Sequence, residues 1–354
     1  MEYRLLLSGY SLFNYLRNKK SFDGIPFITV GAANATNFLV TEGPFDKTRN
    51  RTFTVKALTD KPCTYFVKQC PNWDSTHRFT FHTESLFYDI FGHHEHLPVS
   101  IPKRLYSDVN SLVNIYLFEE NSEDAGAFFA GTLTAEMIHT EPRVKEFSEK
   151  LGTELQKWHR EFLKEAHKDE LKKFDGSLPF ALTIDHHLVE AAENRFREKG
   201  RTFYAFLKNN PELIDRIIDL KLNWYKRPRT LLHGDLKPSN ILIHRENEVI
   251  EKMTLIDWEM ATLGDPLWDV ASMLAHWKFE QGKVFPKLLI KECEDCIENF
   301  IRAYFGDTPP TAEEANLIHW YAGAQLVQDN WLNPGMNHTG ILEFIKELLT
   351  YSSQ

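Results

Sequence analysis

The chain has 354 residues, of which 42% are hydrophobic and 26% charged, enough to bury a full core and ordinary for a globular protein in water. A net charge of −9 argues against nucleic acid as a partner, and no apolar run approaches the roughly 20 residues that span a bilayer. Four cysteines are too few for a disulfide framework, so a cytoplasmic protein is expected, in which the sequons at Asn34, Asn50 and Asn337 carry no meaning.

Met1 to Lys20 reads as an amphipathic helix: Leu5-Leu6-Leu7 is too short for the core of a signal peptide, and no small-residue cleavage site follows. Phe27–Val30 is strand-like and leads through the small-residue turn Gly31-Ala32-Ala33-Asn34 to a second strand at Phe38–Val40. Strands at Phe53–Lys56 and Tyr65–Lys68 flank the turn Thr59-Asp60-Lys61-Pro62. A helix over Phe81–Phe91 stops at Gly92, and further strands are expected near Lys103–Tyr106 and Leu112–Phe118. His93-His94-Glu95-His96 reads as a solvated turn in preference to a metal site.

After Gly126 the pattern changes. Val144, Phe147, Leu151, Leu155, Trp158 and Phe162 recur at helical spacing over 142–168. Helices are also expected at 183–198, 201–208 and 211–224, and short strands at Ile241–Ile243 and Met253–Ile256. From Trp268 onward the chain reads as helical, with breaks near Gly306–Pro310 and Asn333–Gly335. Cys293 and Cys296 form a single C-x-x-C inside such a helix, a weak metal signal. The reading is α+β, with a small antiparallel sheet plus one helix over 1–120 and a mostly helical part over 121–354.

Chemistry concentrates in Leu232-His233-Gly234-Asp235-Leu236-Lys237-Pro238-Ser239-Asn240 and in Leu255-Ile256-Asp257-Trp258-Glu259. Either Asp alone also fits a turn or a helix cap. Asp235 and Asn240 in one loop, followed by Asp257 at the end of an apolar strand, fit phosphoryl transfer better. That reaction needs a carboxylate to orient the attacking hydroxyl, here Asp235, and oxygen ligands for Mg²⁺, here Asn240 and Asp257.

Together with Gly264-Asp265-Pro266-Leu267-Trp268-Asp269, these motifs resemble, in order and spacing, the aminoglycoside phosphotransferase and choline kinase-like family, the small-molecule branch of the protein-kinase-like fold. The resemblance is strongest over 231–271 and extends over most of the chain from about residue 25. It implies a two-lobe fold, with a nucleotide-binding lobe over 1–120 and a catalytic loop and acceptor site within 121–354. It also implies ATP, or GTP, as donor with Mg²⁺, and a hydroxyl-bearing small molecule such as an aminoglycoside or amino alcohol as acceptor. By the same carry-over Asp235 is the base, Asn240 and Asp257 the Mg²⁺ ligands, and His233 shapes the loop. Asp265 and Asp269 brace that loop through backbone hydrogen bonds.

A lysine held by a helix glutamate is expected on the nucleotide phosphates. Glu84 lies 16 residues after Lys68 and 28 after Lys56, and the shorter interval favours Lys68, with Lys56 the alternative. Gly31 and Asn34 stand where the family covers the phosphates, though only one glycine is present there. Adenine is expected on backbone groups around Glu119, within Phe118–Asn121. Lys237 is a feature shared with protein kinases, in which it reaches the transferred phosphate. Asp265 follows Asp257 by only eight positions, too few for a peptide-seating activation loop, which limits a protein-kinase reading. A catalytically silent nucleotide-binding protein is the other alternative.

Residues 291–354 hold 3 basic and 10 acidic residues, against 11 and 9 in residues 1–100. With Trp320, Tyr321, Asp329 and Trp331 in that acidic stretch, the acceptor is expected to be cationic, met by Asp329 and Trp331. The alternative is that Trp320 and Trp331 are core residues and the acids a solvated face. The oligomeric state is not legible.

Overall fold

Alternation of apolar and polar positions sets the first sheet. A computed structural model describes residues 6–18, 38–43, 50–57, 63–70, 75–132, 141–166, 168–176, 178–183, 198–247, 249–280, 290–332 and 339–353. These divide into two units, the first made of Met1–His96, Ser100–Ser122 and Thr254–Met260. The expected strand at Phe27–Val30, the turn at Gly31–Asn34 and nearly all of the helix expected at 183–198 lie outside the described residues.

The first unit opens with helix α1 (Gly9–Asn18). Strands β1 (Phe38–Glu42), β2 (Arg51–Ala57), β3 (Cys63–Gln69), β4 (Arg104–Asp108) and β5 (Val113–Leu117) form one antiparallel sheet in the order β1-β2-β3-β5-β4. Phe53, Val55, Tyr65, Val67, Val113 and Ile115 form one buried cluster with Leu7, Leu12, Tyr15 and Leu16 from the α1 segment. The backbone N–H of Leu7 donates to Gln69 Oε1 at 2.9 Å and the Tyr15 hydroxyl to Asp108 at 2.7 Å, which pins this segment to the sheet.

Successive strand residues alternate faces, so Lys68, Asn114 and Tyr116 belong to the side opposite that cluster. There they meet α2 (Ser75–Phe91): Tyr88 and Tyr116 have ring centroids 5.1 Å apart. Helix α2 begins six residues before the expected Phe81, because its first turn, Ser75-Thr76-His77-Arg78, is polar and carries no apolar period to read. His93, His94, Glu95 and His96 are exposed in the turn that follows.

The second unit comprises Leu97–Val99, Glu123–Met253 and Ala261–Gln354. Strand β6 (Ser122–Asp124) and α3 (Ala125–Thr132) lead to α4 (Glu141–Glu165), which buries the six apolar residues named above from Val144 to Phe162. The helix ends short of the expected 168, since Lys168 is extended and caps a separate short helix, α5 (Asp169–Lys172). Next come α6 (Glu198–Asn209), α7 (Pro211–Trp224), β7 (Thr230–Leu232), β8 (Ile241–Glu246), β9 (Val249–Leu255) and β10 (Thr262–Gly264). The chain closes with α8 (Leu267–Glu280), α9 (Ile290–Phe305), α10 (Ala312–Leu332) and α11 (Thr339–Leu349). Strands β7 and β10 pair antiparallel, while β6, β8 and β9 form a three-stranded sheet. At three residues, β6, β7 and β10 are too short to show a period, and the sequence does not announce them. Helices α4 and α9 pack closely at Gly152, where a Cβ would lie 2.5 Å from the carbonyl oxygen of Phe300.

Candidate active site

The first unit gathers three carboxylates around one ammonium. Lys68 is the penultimate residue of β3, and its Nζ lies 3.0 Å from Glu84 Oε2 and 2.9 Å from Glu259 Oε2, and in closer contact still with Asp257 Oδ1. Glu84 reaches it from α2, where it also accepts from Asn114 Nδ2 at 3.5 Å. Lys56, by contrast, is exposed on β2. Burial alone would lower the Lys68 pKa, but Asp257, Glu259 and Glu84 together hold it well above its ordinary value. For Glu84, burial is the largest effect and pushes the carboxyl up, with Asp257 and Glu259 adding to the rise and Lys68 opposing it.

Asp257 has φ +67, a left-handed backbone that a non-glycine residue adopts only where its surroundings hold it. The turn Trp258–Met260 follows at once, anchored by the stacking of Trp258 on Phe87 with centroids 4.0 Å apart. That turn returns Glu259 to the same ammonium, and Asn50 Nδ2 donates to its Oε2 at 2.9 Å. Glu259 was not singled out from the sequence. Its signal was its place two residues beyond Asp257, with the turn needed to aim it.

The second unit carries the loop. Asp269, in the first turn of α8, accepts the His233 N–H at 2.8 Å on one oxygen and the Gly234 N–H at 3.0 Å on the other. Gly234 has φ +80, which suits glycine. Asp235 N–H points to His233 Nδ1 at 3.3 Å, and the Trp268 indole donates to the Gly234 carbonyl at 3.4 Å. Asp235 Oδ2 receives Lys237 Nζ at 2.6 Å and Asn240 Nδ2 at 3.2 Å, and the same Nδ2 donates to the Asp235 carbonyl at 2.8 Å. Both Asn240 bonds use the nitrogen, so its Oδ1 is the atom suited to ligate a metal.

Asp269 therefore braces the loop as expected, but Asp265 does not. Its carboxylate accepts the Leu267 N–H at 3.0 Å and the Tyr321 hydroxyl at 3.2 Å and is ion-paired with Arg227, Nε at 2.6 Å, so it fastens the start of α8 to its neighbours. Burial pushes the Asp265 carboxyl up despite these partners.

Around the expected adenine contact, Phe118 N–H donates to Thr64 O at 3.0 Å and the Glu119 carbonyl accepts Ser122 Oγ at 2.6 Å. Gly31 and Asn34 lie outside the described residues. Asp329 and Trp331 fall in the last turns of α10, of whose side chains nothing is described. Two of the aromatics expected beside them do not offer a free face. Arg216 sits 3.8 Å from the centroid of the Trp320 ring, whose Nε1 donates to Tyr351 O at 2.9 Å. Tyr321 is wholly buried against Trp224 and Trp268. For Tyr321 the core reading holds, while Trp320 is half-buried with one face taken by Arg216.

Comparison with known proteins bears on the same segments. The model of the phosphotransferase enzyme family matches residues 47–315, which include the Lys68 cluster and the 233–240 loop with Asp269 but not Gly31, Asn34, Trp320, Tyr321, Asp329 or Trp331. The chain belongs to the phosphotransferase enzyme family. It is thus an enzyme that moves phosphoryl groups, and the family read from the 231–271 motifs is borne out. Acyl-CoA dehydrogenase family member 10 of Mus musculus is 42% identical over 67 residues, 18% of this chain and only 6% of that protein. The choline kinase from Streptococcus pneumoniae superposes with a TM-score of 0.55 at 16% identity, covering 89% of this chain and 95% of that one. An ADP-bound aminoglycoside phosphotransferase gives a TM-score of 0.52 at 12% identity, covering 98% and 97%. Likeness at such identities establishes the fold, which is the expected protein-kinase-like α+β class. Among the described residues no helix is long and apolar enough to cross a membrane.

Proposed function

We propose that this phosphotransferase moves the γ-phosphoryl group of ATP, with GTP the alternative donor, to a hydroxyl of a small amine-bearing alcohol. The observation that carries the reading is the buried Lys68–Glu84 pair, 3.0 Å apart, with Asp257 on the same ammonium. A lysine fixed in this way presents a positive charge to nucleotide phosphates. Asp235 orients the acceptor hydroxyl and takes its proton. Lys237, which rests on Asp235 Oδ2, supplies a second cation beside that carboxylate. Asp269 holds the loop in shape through backbone amides.

The donor set fits Mg²⁺. Oxygens of Glu84, Asp257 and Glu259 lie within 4.8 Å of one another, and hard oxygen ligands suit that ion. Three carboxylates against one ammonium leave two negative charges that a divalent cation would neutralise. Asp257 and Glu259 would hold the ion while Glu84 stays with Lys68, and Asn240 remains a proposed Mg²⁺ ligand through its Oδ1. When bound, Mg²⁺ supplies charge neutralisation on the transferring phosphates.

An amine-bearing acceptor is supported by the acidic balance of residues 291–354, with 10 acidic residues against 3 basic. Choline and aminoglycosides, named for two enzymes of the same fold, are amine-bearing alcohols. Asp329 and Trp331 remain the proposed contacts. The eight-residue interval from Asp257 to Asp265 favours a small acceptor over a peptide. The test is transfer of label from γ-labelled ATP or GTP with Mg²⁺ to a panel of amino alcohols, aminosugars, neutral polyols and a generic protein substrate. Turnover confined to amine-bearing alcohols is expected. Label moving only to neutral polyols or to protein would overturn the acceptor class.

A further inference from the structure

The second unit holds an open-sided cleft of about 230 Å³ that the proposed transfer does not use. Leu163, Pro266, Tyr304 and Phe305 give it an apolar wall, and Arg160 and Arg227 are among the residues that line it. Most of the charge there is already committed. Arg227 is paired with Asp265 at 2.6 Å and with Glu313 at 3.2 Å. Glu314 is occupied in capping α10, taking the Thr311 N–H and hydroxyl at 2.8 Å each. Arg160 is different: it is exposed and has no ion-pair partner among the described residues.

The wall also leads inward. The Tyr304 hydroxyl lies 2.8 Å from His159 Nδ1, and His159 Nε2 lies 3.3 Å from Asp269 Oδ2. That carboxylate holds the His233 and Gly234 amides. Three hydrogen-bonded side chains thus join the cavity to the loop that bears Asp235.

Size and charge define an occupant. A dry apolar cavity of about 150 Å³ accommodates a benzene ring. The larger volume here takes a ring and a carboxylate, with the anionic end toward Arg160, which has no ion-pair partner among the described residues. We infer that the cavity is a second binding site, for a small aromatic carboxylate held by Arg160, and that its occupancy is felt at the catalytic loop. A charge-assisted bond to a guanidinium supplies the discrimination against a neutral analogue.

Sodium benzoate is the probe and benzamide its neutral control, titrated calorimetrically into the wild-type chain and R160Q. Arg160 is exposed and outside the transfer machinery, so the variant keeps the fold. Saturable benzoate binding at about 1 mM or tighter is expected, weakened at least about tenfold in R160Q and for benzamide. Hydrogen exchange of the peptide carrying His233 and Gly234 should change on saturation with benzoate in wild type and stay unchanged in R160Q at the same concentration. Absence of saturable binding, or equal affinity in wild type and R160Q, overturns the site. Exchange unmoved by a saturated cavity overturns the coupling.

Discussion

Asp269 and Gly234 stand 3.0 Å apart, carboxylate oxygen to backbone amide, across 35 residues of sequence. The second oxygen of the same carboxylate takes the His233 amide, so a single buried side chain sets two consecutive peptide planes just before Asp235. Placement of the proposed base therefore depends on α8 as much as on its own loop.

Removing that carboxylate strands the buried His233 amide, the half-buried Gly234 amide and one ring nitrogen of His159. Asp269→Ala should lower unfolding free energy by about 2–5 kcal/mol, the range for orphaned buried polar groups and broken buried pairs. Urea denaturation of both proteins gives the number. A loss below about 0.5 kcal/mol would show that the brace contributes little.

Gly234 has φ +80, where a Cβ meets the neighbouring carbonyl oxygen. Gly234→Ala should cost about 1–2 kcal/mol and should reduce kcat more than donor KM, because it moves Asp235 and leaves the Lys68 cluster alone. An unchanged kcat contradicts the dependence of Asp235 on this backbone.

The carboxylate cluster has its own test. In Lys68→Met, Glu84, Asp257 and Glu259 face one another with no ammonium between them. The variant should be less stable than wild type by about 3–5 kcal/mol, as for a broken buried ion pair. Mg²⁺ should restore part of that loss, raising the melting temperature of the variant more than that of wild type. Equal Mg²⁺ responses would argue against a metal site among these oxygens.

Glu154 on α4 links stability to pH. Burial pushes its carboxyl from 4.5 up to about 7, with Lys150 and Lys157 pulling the other way. Because the folded value is the higher one, folding favours the protonated form. That contribution is whole below the unfolded pKa and is lost as pH rises through 7. Glu154→Gln should match wild type near pH 4.5 and exceed it at pH 8 by about 1–3 kcal/mol, partial exposure having been allowed for. Equal stability at pH 8 would contradict a half-buried carboxylate held above its ordinary pKa.

How much of this was legible in the sequence varies with the range of the contact. Asp235 and Asn240 stand out because both serve one short loop, and Asp257 because a strand delivers it. Lys68 was separable from Lys56 because only its interval to Glu84 fits a strand end, a loop and one helical turn. Glu259 escaped notice, as its aim depends on the left-handed backbone at Asp257 and the turn after it. The route from Tyr304 through His159 to Asp269 joins residues 145 and 110 positions apart, which no local pattern encodes. Trp320 looked like a free aromatic face, since Arg216, which covers it, comes from another helix. The start of α2 and the three-residue strands were missed for want of a period.

The most direct measurement is single-turnover phosphoryl transfer from γ-labelled ATP to an accepted amino alcohol, wild type against Asp235→Asn, with nucleotide affinity measured alongside. The substitution keeps the shape and removes the base, so the transfer rate should fall at least about 100-fold, the scale of a positioned base, with nucleotide affinity within about twofold of wild type. A variant that keeps more than about a tenth of the wild-type rate would contradict the role of Asp235.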